Sequence, residues 1–114
     1  MSKPWYGTAA KKLDEDDNIQ KTYSCSYNKD NGYLCLGKKK LVFVNSKGFL
    51  KKSYDVTLDI PYSELEEVSQ VSRFKLNLKH GESDHLIETG ELSAKIVSQA
   101  LQDVIANSPE LSVA

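Results

Sequence analysis

The stretch Gly32-Tyr33-Leu34-Cys35-Leu36-Gly37-Lys38-Lys39-Lys40-Leu41-Val42-Phe43 decides how the rest of the chain reads. Tyr33 to Leu36 is a short apolar strand. Gly37-Lys38-Lys39 follows as a tight turn. Lys40 to Asn45 is the next strand, and its Leu41-Val42-Phe43-Val44 run is the most β-prone in the chain. Two apolar runs joined this closely form an antiparallel hairpin.

Upstream of the hairpin, Tyr23, Cys25 and Tyr27 alternate with Thr22, Ser24 and Ser26, the pattern of a half-buried strand. Lys29-Asp30-Asn31-Gly32 carries turn chemistry and joins that strand to the next. Downstream, Ser46 to Ser53 is a looser, lysine-rich connection. In the fourth strand Tyr54, Val56, Leu58 and Ile60 face one way while Asp55, Thr57 and Asp59 face the other, and Pro61 ends it. Leu65 to Val71 suggests a shorter fifth strand. The sixth puts Phe74, Leu76 and Leu78 inward and Arg73, Lys75, Asn77 and Lys79 outward. His80-Gly81-Glu82-Ser83 is a turn, and Asp84 to Glu88 is the seventh strand.

The last element changes period. Leu92, Ile96, Ala100, Leu101, Val104 and Ile105 recur at helical spacing, with Lys95, Gln99, Gln102 and Asp103 on the opposite face. Thr89 is the expected N-cap, and Asn107 and Pro109 mark the stop. At the other end Trp5, Ala9 and Leu13 share a helical face. The run Asp14-Glu15-Asp16-Asp17 opposes the helix dipole behind them, so residues 1–18 read equally as a short helix or an arm. Residues 19–107 then form one domain and 108–114 a flexible tail. The expected fold is mainly β with one α-helix, a seven-stranded antiparallel barrel or sandwich capped by a C-terminal amphipathic helix.

These residues resemble a known family. The segment from Gly32 to Phe43 is similar to the hairpin of GRAM and bacterial pleckstrin-homology-like domains, with Gly37 where a threonine is common and Lys40 in place of the usual arginine. Ile60-Pro61-Tyr62-Ser63-Glu64-Leu65-Glu66-Glu67-Val68 is similar to a second segment of the same domains. The resemblance covers roughly Ile19 to Ala106. It implies a non-catalytic module that binds phosphoinositides, peptides or proteins, with a peptide lying between the fifth strand and the helix. A similar domain in a core subunit of the general transcription and repair factor binds acidic, hydrophobic segments. Some bacterial relatives of the fold act as self-assembling structural subunits, a third alternative.

Composition narrows the classes. The chain has 114 residues, 39% hydrophobic and 27% charged, which suits one globular domain. No apolar run has the length of a membrane span, and the first residues carry no secretory core. The expected location is cytoplasmic, with the nucleus and a membrane surface as alternatives. The net charge of −1 hides segregation: residues 38–80 carry eight lysines and one arginine against five acids, and residues 81–114 one lysine against six acids.

Binding a phosphoinositide needs several cations converging on one phosphate cluster. The resemblance puts them in the first loop and in the loop after the third strand, which here means Lys29, Lys47, Lys51 and Lys52. Arg73 and Lys75 add a stripe on the sixth strand that suits an acidic peptide or an anionic surface. The same residues also read as solvated charges protecting turns and strand edges. Nucleic acid is not expected, because the aromatics sit at core positions instead of interleaving with the cations. Cys25 and Cys35 are expected to be reduced, and the hairpin allows an arrangement in which they face each other as small apolar residues. Their spacing does not suit zinc, although that of His80 and His85 does. No metal, cofactor or catalytic residue is expected, and neither phosphate-loop nor nucleophile-elbow motifs occur.

Overall fold

The computed structural model describes residues 4–47, 53–90 and 92–107. Seven strands form one antiparallel sheet: β1 (Lys21–Tyr27), β2 (Asp30–Leu36), β3 (Lys40–Lys47), β4 (Ser53–Pro61), β5 (Leu65–Ser72), β6 (Lys75–His80) and β7 (Ser83–Glu88). Their order is β4-β3-β2-β1-β7-β6-β5. The halves β1–β4 and β5–β7 are meanders, joined where Ser26 and Tyr27 of β1 pair with Glu88 and Ile87. Among the described residues two α-helices, α1 (Pro4–Ala10) and α2 (Ala94–Ala106), and a 3-10 turn at Tyr62–Glu64 accompany the sheet. The mainly β fold with a C-terminal helix is as the alternation predicts. The tail from residue 108 and the lysines at 51 and 52 lie outside the described residues.

β3 is buried on both faces, which explains why its run is continuously apolar and not alternating. Leu41 and Phe43 point into a core shared with Leu34, Leu58, Ile60, Leu76, Leu78 and Ile87, closed by Val97 and Leu101 of α2. Val42 and Val44 point the other way, onto Trp5 and Ala9 of α1, with Cys35 beside them. The N-terminal segment is therefore a helix docked on the sheet. Behind it Asp17 accepts from the backbone N–H groups of Lys38 (2.7 Å) and Lys39 (3.1 Å), fastening the β2–β3 turn. From the other side Tyr62 donates its hydroxyl to the Gly37 carbonyl at 2.7 Å.

Several local expectations are corrected. The β1–β2 turn is Asn28-Lys29, both with positive φ (53° and 67°), so Asp30 to Gly32 already belong to β2. That mirror-image two-residue turn matches the twist of the flanking strands. In β4 the apolar residues do not share a face. The register shifts between Phe43 and Val44, which pair with Leu58 and Val56. The extra residue, Thr57, turns Tyr54 and Val56 toward α1 and leaves Leu58 and Ile60 in the main core. Phe74 lies in the β5–β6 turn and is 42% exposed, with the Arg73 guanidinium 5.4 Å from its ring centre. The cap of α2 is Ser93, whose hydroxyl accepts from Ile96 N–H. Gly90 has φ of 69°, outside helical space, so the helix cannot begin at Thr89. Thr89 instead donates to the Leu92 carbonyl at 2.6 Å.

Candidate binding surfaces beside the C-terminal helix

The later start of α2 rotates its buried stripe. Ala94, Val97, Ala100 and Leu101 face the core, while Leu92 and Ile96, read from spacing as core residues, are 41% and 51% exposed. Ile96 stands on one wall of a cleft of ≈ 610 Å³ whose other wall is Lys21 and Tyr23 of β1. The furrow continues in both directions. Toward one end Leu92 and Thr89 face Thr22 and Ser24, and toward the other Val104 and Asn107 face Gln20 and Lys38. The α2 wall thus runs opposite in direction to β1.

β1 presents main chain to this furrow. Away from β2 it pairs only through Ser26 and Tyr27, and Gly90 then passes beside Ser24, whose carbonyl oxygen lies 3.5 Å from where a Cβ on Gly90 would stand, so Lys21 to Tyr23 carry no neighbouring chain there among the described residues. On the far side of α2 lies a second cleft of ≈ 410 Å³, between Leu65, Glu66, Glu67 and Val68 of β5 and Gln102, Ile105 and Ala106. β5 is the last strand of the sheet and also has an unpaired edge. The resemblance anticipated this second cleft. Nothing in the alternation pointed to the first, because it depends on where β7 leaves β1.

The cations are dispersed. The β1–β2 turn, with exposed Lys29, shares an end of the meander with the connection that begins at Lys47. Only the backbone of Lys47 is described, paired with Ser53. Arg73 is exposed in the β5–β6 turn, and its carbonyl accepts from Ala94 N–H at 2.7 Å. Lys75 lies opposite Glu88, and Lys79 opposite Asp84, so the basic stripe of β6 faces an acidic one on β7. At the other end of the meander Lys39 pairs with Asp16 (2.9 Å), which lowers the Asp16 pKa, and Lys40 pairs with Asp59 (3.0 Å).

The two cysteines are free and lie on opposite faces of the sheet, Cys25 in the main core and Cys35 beneath α1. In register Cys25 meets Gly32 and Cys35 meets Thr22, so they do not face each other. Burial pushes both thiols up to about 12, far from the thiolate that nucleophilic or metal chemistry needs. Among the described residues no three His, Cys, Asp or Glu side chains are grouped to hold a metal ion.

The two histidines instead join the sheet halves. His80 Nε2 lies 3.1 Å from Glu64 Oε1, the His80 and His85 rings are 6.3 Å apart, and His85 Nδ1 lies 2.7 Å from the Tyr27 hydroxyl. Burial holds the His85 pKa below its usual 6.5, helped by His80 and opposed by Asp84. The unfolded chain therefore binds a proton at His85 before the folded one does. The stability this neutral imidazole carries is complete above about pH 6.5 and is lost as pH falls toward the depressed folded value. A proton NMR titration should find the His85 midpoint below that of a histidine in a peptide. A midpoint above it would contradict the half-buried, hydroxyl-bonded placement.

Against known proteins the chain is matched by shape. A pleckstrin homology domain from Shewanella amazonensis superposes with a TM-score of 0.58 over 90% of this chain and 92% of that one, at 16% identity. The C-terminal domain of an unknown protein from Leishmania infantum gives the same TM-score over 78% of this chain and 84% of that one, at 18% identity. No protein-family model matches the chain, and no curated protein matches it by sequence. The architecture is the pleckstrin-homology fold. Among the described residues no helix is long and apolar enough to cross a membrane.

Proposed function

We propose that this chain is a non-catalytic module that recognises a protein or peptide partner. The observation that carries the reading is the pair of strand edges beside α2. Lys21–Tyr23 of β1 and the outer edge of β5 both offer unpaired main chain next to apolar helix side chains. An extended peptide gains affinity from such an edge and specificity from the side chains beside it. Soluble proteins commonly block their exposed edges against unwanted pairing.

A second reading, contact with phosphoinositide headgroups, draws support from the shared end of the meander at Lys29 and Lys47. Lys51 and Lys52 belong to the same connection, and Arg73 and Lys75 would add to an anionic contact elsewhere.

Selection from a displayed library of random peptides tests the first reading. Enriched sequences whose synthetic versions shift amides along β1, β5 or α2 support it. A library that yields no binder, from a chain that light scattering finds as a defined oligomer, would replace it with self-assembly. Salt-sensitive shifts confined to Lys29 and Lys47 on adding soluble phosphoinositide headgroup would move the function to a membrane surface.

A further inference from the structure

The two clefts beside α2 differ in charge, and the difference selects an occupant. The β5 cleft is lined by Glu66 and Glu67. Among the described residues the β1 furrow is lined by Lys21, Lys38 and Lys95 against one acid, Asp103. Asp103 already accepts from the Gln99 amide at 3.1 Å. Among the described residues none of the three lysines takes part in an ion pair, and Lys38 stands near enough to Asp16 to help lower that carboxyl's pKa. Two of them flank the unpaired β1 segment: Lys21 starts it, and Lys38 stands beyond it in the β2–β3 turn. Lys95 stands on the helix wall. Between them Tyr23, Leu92 and Ile96 supply half-buried or exposed apolar surface.

We propose that the furrow between β1 and α2 takes an extended peptide in which apolar residues alternate with carboxylates. The peptide adds as a strand to Lys21–Tyr23, the part of the β1 edge that Gly90 leaves open. Successive side chains of a strand point to opposite faces. One set meets Ile96, Leu92 and Tyr23, and the other carries its carboxylates to the lysines on the rim. This rests on the peptide-binding reading and narrows it to one edge and one ligand charge. The β5 cleft repels the same peptide, because Glu66 and Glu67 line it.

The test uses two synthetic seven-residue peptides. In one, leucine and valine alternate with aspartate; in the other, lysine replaces every aspartate. Each is added to the labelled chain while amide shifts are recorded. The acidic peptide is expected to shift residues 21–23 and 92–103, and its affinity to fall with added salt. The double variant Lys21→Glu, Lys95→Glu should weaken it at least about tenfold, the loss of roughly 1.4 kcal/mol. Unchanged shifts elsewhere in the variant show that it is folded. A version methylated at every backbone nitrogen should not bind, since strand addition needs the N–H groups that face β1.

Acidic-peptide shifts at Leu65–Val68 and Gln102–Ala106 would overturn the assignment. So would equal binding of the lysine peptide, or of the methylated version. Binding of the lysine peptide alone, at β5, would overturn it while leaving the peptide-binding reading intact. If neither peptide shifts any amide at millimolar concentration, the inference falls, and the library selection decides the broader reading by itself.

Discussion

Gly32→Ala is expected to destabilise the fold by about 3 kcal/mol, the upper part of the range for overpacking a filled interior. Gly32 is buried in β2, between Cys25 of β1 and Asn45 of β3. A methyl group there would press on the Val44 carbonyl and stand 2.8 Å from Phe43 Cε1 and 2.9 Å from Asn45 Cα. Two of those three atoms are backbone of a strand buried on both faces, so the clash cannot be relieved by turning a side chain. The constraint is one of space, since Gly32 is not among the residues with positive φ. Thermal unfolding should show a fall on the order of 10 °C. Gly7→Ala is the control: nothing lies within 4 Å of the added methyl, and the site is inside α1. It should be neutral or stabilising by up to about 1 kcal/mol, the helix preference for alanine. If the two variants melt within a degree or two of each other, β2 and β3 do not approach at Gly32 as described.

Gly32 also shows which parts of the fold are written locally. In the sequence it reads as the end of a turn, because Asp30-Asn31-Gly32 has turn composition. The real turn lies two residues earlier, at Asn28-Lys29, and the glycine is needed for close passage of β3. Alternation identified the seven strands and the terminal helix because each pattern lies within one element. It misjudged β4, where a bulge at Thr57 reverses the face of Tyr54 and Val56, since a bulge is a property of two strands. It placed Leu92 and Ile96 in the core because spacing alone does not fix the phase of a helix; Gly90 and the Ser93 cap do. The candidate furrow was illegible for a similar reason. Its edge exists only because β7 leaves β1 after Ser26, a long-range event without a local signature. The lysines that line it were visible, but Lys21 and Lys95 are far apart in sequence and Lys38 reads as an ordinary turn residue.

Trp5→Ala tests the other face of the sheet and should cost about 3 kcal/mol, the lower end of the range for removing a buried aromatic. Trp5 is 7% exposed and stacks on Tyr33, with ring centres 4.0 Å apart and planes 9° from parallel. A helix of seven residues is too short to persist alone, so α1 holds its shape only while docked. Without the indole it should detach, which limits the loss to the contribution of docking and leaves Val42 and Val44 uncovered. Denaturant unfolding measures the loss. Ala9→Glu gives an independent reading, because Ala9 is 1% exposed and a carboxylate there cannot be accommodated against the sheet. Trp5 is the only tryptophan, so its emission in Ala9→Glu should move toward that of a solvated indole. Native emission already at the solvated position would show that α1 is not docked. Both variants act on the face opposite the β1–α2 furrow, so affinity for the acidic peptide should hold wherever the fold survives. A matching loss of affinity would mean that α1 also helps to set the β1 edge through the segment that joins them.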